Sequence, residues 1–175
     1  MENKFLSPRL ILIVIAILTG AFMRLVPHWP NFTPIAAIAL FGGAYINRKD
    51  LAILIPLMAL FLSDLFLGLH AYLIPVYGCF AITAAIGFFL KNKISGTNVI
   101  LASLASSLLF FLVTNFAVWA LGMNFSRDFS GLMQCYTIAL PFFLNGTLGD
   151  LFYTGVLFGG FALAQQRYPA LQRIK

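Results

Sequence analysis

Charge is what this sequence has least of. Only 9% of its 175 residues are Asp, Glu, Lys or Arg, and five of those are acidic, whereas soluble domains carry roughly 25% charged residues. So small a polar complement cannot cover a water-facing surface. The eleven basic residues never gather into the patch or stripe that grips a phosphate backbone; they stand in ones and twos between apolar runs, which excludes nucleic acid as a partner. Cysteine is scarce too. Cys79 and Cys135 both lie in apolar sequence, and no disulfide is expected. Also missing are His-x-x-x-His, Cys-x-x-Cys, the phosphate-binding Walker loop and the nucleophile elbow of serine hydrolases. Zinc, nucleotide and acyl-transfer chemistry therefore leave no signature, and neither an intrinsic cofactor nor an enzyme is expected.

What fills the space is hydrophobic: 61% of the residues, with a positive mean hydropathy. Six apolar segments run approximately over 10–26, 33–46, 51–66, 73–90, 99–121 and 141–164. At ~20 residues per crossing they consume about 120 residues, so 1–175 reads as one embedded all-α domain, a polytopic membrane protein of six transmembrane helices. The second and third segments are short for spans, which implies thin or tilted packing. The first resembles a signal peptide but lacks a small-residue cleavage site, and is read as a span. Residues 131–140 are apolar but too short to cross beside the sixth segment; they read as a re-entrant or interfacial helix broken at Pro141. With the amino terminus inside, nine of the eleven Lys and Arg fall on the inner side, and only Arg24 and Arg127 lie outside. Short cytoplasmic loops carry such an excess, so both termini are expected in the cytoplasm.

Groups capable of recognition gather on the other side. Both histidines, His28 and His70, sit in outer loops, with Asn31 and Tyr72 close by in sequence. Asp64 and Asp150 are acids set in apolar sequence. A carboxylate at the bilayer centre costs at least ~2.5 kcal/mol, so each needs a partner or a water-filled cavity. Asp64, near the outer end of its segment, either reaches the headgroups or serves a ligand, whereas Asp150, ~14 Å below Pro141, is expected to line a cavity. The Asn115 amide also needs a partner, and Trp119 lies toward the outer interface. Cys79 follows Tyr72 by about two helical turns. It is either an inert buried thiol or a soft ligand to a metal centre carried by a ligand. Small residues recur at four-residue spacing in Ala16/Gly20, Ala39/Gly43 and Gly155/Gly159. Such spacing serves close packing within the bundle or against another membrane subunit.

The motifs Pro27-His28-Trp29-Pro30-Asn31-Phe32-Thr33-Pro34, Ser63-Asp64, Thr114-Asn115-Phe116 through Trp119, and Gly149-Asp150-Leu151-Phe152-Tyr153 together resemble a family of small bacterial membrane proteins. That family is related to the S-components of energy-coupling-factor (ECF) vitamin transporters. The resemblance implies a six-helix bundle in the bacterial cytoplasmic membrane that binds a vitamin or metal ion between its helices and outer loops. It also implies docking on an ECF transmembrane subunit driven by two ATPases. The binding residues it suggests are His28, Asn31, Asp64, His70, Tyr72, Cys79, Asn115, Trp119 and Asp150, with Ala16 and Gly20 on the docking face. The chain resembles the cobalamin-specific S-components, which makes cobalamin the leading ligand, with Cys79 or a histidine such as His28 as an axial ligand to cobalt. Other vitamins or precursors, a transition-metal ion, a solitary transporter, and an intramembrane enzyme using Asp64 and Asp150 as a carboxylate pair stay open.

Overall fold

In lipid a backbone amide has no water to bond, so an apolar run must close its hydrogen bonds within its own segment, and helices result. A computed structural model describes residues 7–69, 71–122 and 124–172. Among them lie α1 (Pro8–Met23), α2 (Ile35–Tyr45), α3 (Lys49–Leu67), α4 (Leu73–Leu90), α5 (Gly96–Leu121), α6 (Phe129–Thr154) and α7 (Gly160–Arg167), with no strand. The helix ends carry the expected chemistry. Ser7 caps α1 ahead of Pro8, and Ser95 caps α5, each hydroxyl accepting a backbone N–H at 3.2 Å. Gly68 ends α3 at φ +96°, where a side chain would be strained.

The bundle is apolar on its outside as well as within. Phe66, Ile74, Phe89, Leu101 and Phe152 are all exposed, a belt that water would not tolerate and lipid does. Helices α3, α4, α5 and the continuous run from Phe129 to Arg167 are long and apolar enough to cross a membrane, whereas α1 and α2 are shorter. The chain is therefore an all-α membrane bundle.

Its hub is α2. Every residue of this helix is buried, and at ~1.5 Å per residue its length is only about 16 Å. The segment expected at 33–46 and expected to be short appears as Ile35–Tyr45, a helix enclosed by its neighbours. Glycines permit the enclosure. Gly43 meets the backbone of Ala84 and Gly87 on α4, Gly42 meets Pro56 on α3, and Gly20 of α1 lies under the Ile38 side chain. Beyond Gly43, Phe41 and Tyr45 pack against Phe158 and Phe161, with ring centroids 4.6–5.5 Å apart. The Ala16/Gly20 face is thus turned inward, with Gly20 buried and Ala16 packed on the core. Ile38 of α2 covers the Gly20 end of the expected docking face.

Residues 131–140 are not a separate re-entrant helix. Residues 129–167 form one helical rod, interrupted only by a π-helical turn at Gly155–Gly159, and Pro141 lies inside it. One proline removes a single N–H, whereas a full break in lipid would expose several groups.

Asp128 caps α6, accepting from Gly131 N at 2.7 Å and from the Ser126 hydroxyl at 2.8 Å. Those bonds, first of all the Gly131 amide, hold its carboxyl below the usual carboxylate range. A depressed folded-state value means that the cap's stability is present above the unfolded carboxylate value and is lost as pH falls through the folded one. The protection of the first-turn amides of α6, their exchange rate taken relative to the intrinsic rate at each pH, is expected to fall below the usual carboxylate range. Asp128→Asn should flatten that dependence, and an unchanged pH profile would rule out the cap as its source.

Candidate functional site

The first polar group to place is Arg24, the residue just after α1. Its Nη1 donates to the Asp64 carboxylate in an ion pair and to Ser63 Oγ at 2.8 Å, and Ser63 in turn donates to Leu60 O at 2.7 Å. Tyr77 of α4 donates to the second Asp64 oxygen at 2.7 Å. The Asp64 side chain is 1% exposed and that of Arg24 17%. Asp64 therefore does not reach the headgroups; it is buried, and both its oxygens are engaged within the bundle.

Beside this cluster lies a cavity of about 300 Å³ between α2, α4, α5 and α6. Cys135 Sγ meets Asn115 O at 3.5 Å, and the Ser107 hydroxyl meets the Asp150 carboxyl at 2.6 Å. Between those contacts α6 advances about 22 Å and α5 only about 12 Å. Along that stretch Phe110 and Phe111 of α5 and Phe142 and Phe143 of α6 line the cavity.

At the other wall the Pro-Asn-Phe-Thr-Pro loop docks on α6. Asn31 adopts a left-handed conformation at φ 62°, which asparagine tolerates better than most residues. Phe32 packs on Phe152 and Tyr153 with centroids 5.8 and 5.6 Å apart. Gly149 makes this fit: a Cβ there would lie 2.9 Å from Phe32 Cα. Two motifs far apart in sequence thus build one surface, and Asn31, Thr33 and Asp150 from them line the cavity.

Of the residues expected at the site, the cavity collects Asn31, Asn115 and Asp150. Asn115 Nδ2 donates to Phe111 O at 2.8 Å in its own helix, which leaves the side-chain oxygen for the cavity. Asp64 lies one residue removed, behind Arg24. Only Asp150 of the two acids faces the space, so they do not form the facing pair that an aspartate-based enzyme would use.

The rest are elsewhere. Cys79 is 1% exposed and does not line the cavity. His28 is exposed, its Nδ1 donating to Val26 O at 2.6 Å. Neither residue expected as an axial ligand lines the cavity, and no group of three His, Cys, Asp or Glu able to hold a metal occurs among the described residues. Tyr72 lies over Gly122. Trp119 donates to Ser126 O at 2.9 Å and braces the loop after α5. His70 falls outside the described residues. Both cysteines are free thiols.

The residues that sequence reasoning missed are Arg24, Ser107, Thr147 and the phenylalanines. Neither a curated protein nor a solved structure is significantly similar to the chain. A family model matches residues 4–171, nearly the whole length, and the chain therefore belongs to that family, described as a family of unknown function (DUF6580).

Proposed function

We propose that the chain binds a small vitamin-like molecule and takes it up across the bacterial cytoplasmic membrane, as the binding subunit of a larger transporter or alone. The cavity carries this reading. Its volume of about 300 Å³ lies at the small end of the range for ligand sites, roughly 300–1,000 Å³. Its polar groups, Asn31, Asn115 and Asp150, come from a loop and two helices that converge on one space. The resemblance to ECF S-components supports the same class. The size favours a molecule smaller than a corrinoid, and the burial of Cys79 away from the cavity removes the main chemical reason for cobalamin.

Charge supports an orientation. Arg48, Lys49, Lys91, Lys93 and Arg167 stand at helix ends and in loops of the side that the positive-inside rule favours for the cytoplasm, the side on which both termini are expected. The two exceptions are employed internally: Arg24 on Asp64, and Arg127 on the Ala120 and Gly122 carbonyls at the end of α5. The cavity and its loop then face outward. With Gly20 covered by Ile38, a partner subunit would need a face other than Ala16 and Gly20, which favours a solitary transporter. A catalytic Asp64–Asp150 pair has less support, because one member is held by Arg24 and Tyr77.

Mass spectrometry of the detergent-purified protein is expected to find a co-purifying small molecule. Asp150→Asn, of nearly the same shape, should weaken its binding at least roughly tenfold, or ~1.4 kcal/mol, while the variant stays folded. A preparation without any such molecule, together with cells whose solute uptake is unchanged on overproduction, would sink the proposal.

A further inference from the structure

Resting on the binding reading above, we infer that the molecule taken by this cavity is an organic cation. Its positive charge would stand over the phenylalanine rings and against the Asp150 carboxyl.

Charge accounting comes first. Among the described residues lining the cavity, Arg24 and Asp150 are the only ones with formal charge. The Arg24 guanidinium is matched by Asp64, which is buried behind it. Asp150 has no such match: its partner is the Ser107 hydroxyl, and none of the ion pairs among the described residues includes it. The space is left with one carboxyl facing a hydroxyl alone, and Ser107 directs its single proton at Ser103 O as well. An anionic ligand would meet that group with no spare cation, and beside a neutral ligand the carboxyl must shed its charge by taking up a proton. A cation is the ligand that pairs with its ionised form.

The walls select the kind of cation. Phe80 and Phe110 are tilted against each other with centroids 5.2 Å apart, and Phe111 and Phe143 with centroids 4.5 Å apart; all four line the space. Ring faces carry the negative part of the aromatic quadrupole and attract a diffuse, weakly hydrated positive charge. A bare metal ion, by contrast, is best held by several His, Cys, Asp or Glu side chains, and no group of three of these able to hold one occurs among the described residues. The remaining polar atoms suit a ligand bearing N–H or O–H groups. Thr147 Oγ is buried without a hydrogen-bond partner, and the Asn115 side-chain oxygen is left over from its bond to Phe111. The class is therefore a small ammonium or N-alkylated heteroaromatic cation.

The test reads the charge preference of the cavity without knowing the ligand. Thr147→Cys is introduced into a chain carrying Cys79→Ala and Cys135→Ser, neither of which lines the space. It is then reacted with two methanethiosulfonates of similar size, one bearing a trimethylammonium group and one a sulfonate. Each rate is divided by that of the same reagent with free 2-mercaptoethanol. The expected result is a cation preference of about tenfold or more, the range in which a one-sign cleft concentrates counter-ions, falling toward unity in Asp150→Asn. Equal rates, faster reaction with the sulfonate, or a preference untouched by Asp150→Asn overturn the cation assignment and leave the binding reading standing. If neither reagent reacts, the cavity is closed to solutes and both readings fall. Ala139→Cys, in the same lining, is the second reporter if Thr147→Cys does not fold.

Discussion

Asp64→Ala is expected to destabilise the bundle by about 3–5 kcal/mol, because it strands the Arg24 guanidinium in a site built to neutralise it. The Asp64 side chain is 1% exposed and receives Arg24 on one oxygen and Tyr77 on the other. With the carboxylate gone, Arg24 keeps only the Ser63 hydroxyl, and the Tyr77 hydroxyl loses its acceptor. The cost arises from leaving one partner unmatched more than from losing attraction, since two charges taken into low dielectric recover by pairing little more than they spend on desolvation. Arg24→Met combined with Asp64→Leu should therefore recover most of the loss. Thermal unfolding of the parent, Asp64→Ala and the double variant in one detergent measures both effects. If the double variant is as unstable as Asp64→Ala, or Asp64→Ala loses less than ~1 kcal/mol, the pair does not act as described.

That ion pair also marks where sequence reading stops. The helices were legible because apolar runs of span length have one outcome in lipid: segments expected at 51–66 and 73–90 appear as Lys49–Leu67 and Leu73–Leu90. Asn115 and Asp150 stood out because unpaired amides and carboxyls inside a membrane need a reason. Arg24 did not stand out, because its partner lies forty residues on and no periodicity connects a loop with a helix end. Its only signal was a cation on the side of the membrane poor in them. Arg127, the other exception, likewise has internal partners. The phenylalanine lining was illegible for a different reason. A phenylalanine facing a cavity and one facing lipid occur in the same kind of sequence, and only packing separates Phe111 and Phe143 from exposed Phe89 and Phe152. The length of α6 departs from the expected break at Pro141 because a proline inside a helix removes one N–H, whereas a break in lipid exposes several backbone groups.

The same illegibility makes the second large prediction. Gly43→Ala is expected to cost more than about 3 kcal/mol, beyond the usual 1–3 kcal/mol of core overpacking, and to cut the yield of monodisperse protein sharply. The new methyl would fall on the Ala84 carbonyl and the Gly87 Cα. Neither is a flexible side-chain end that can move aside, so α2 and α4 must separate along their shared surface. Gly159→Ala is the matched control. Nothing lies within 4 Å of its added carbon, and alanine in place of a helical glycine is neutral or stabilising by ~0.5–1 kcal/mol. Melting temperatures of the two purified variants against the parent decide the matter, and a Gly43→Ala protein that melts with the parent would refute the close crossing. Ala39/Gly43 and Gly155/Gly159 have the same spacing and nearly the same composition. One closes the centre of the bundle and the other has open space beside it, a difference set by which helix arrives opposite rather than by the small residues themselves.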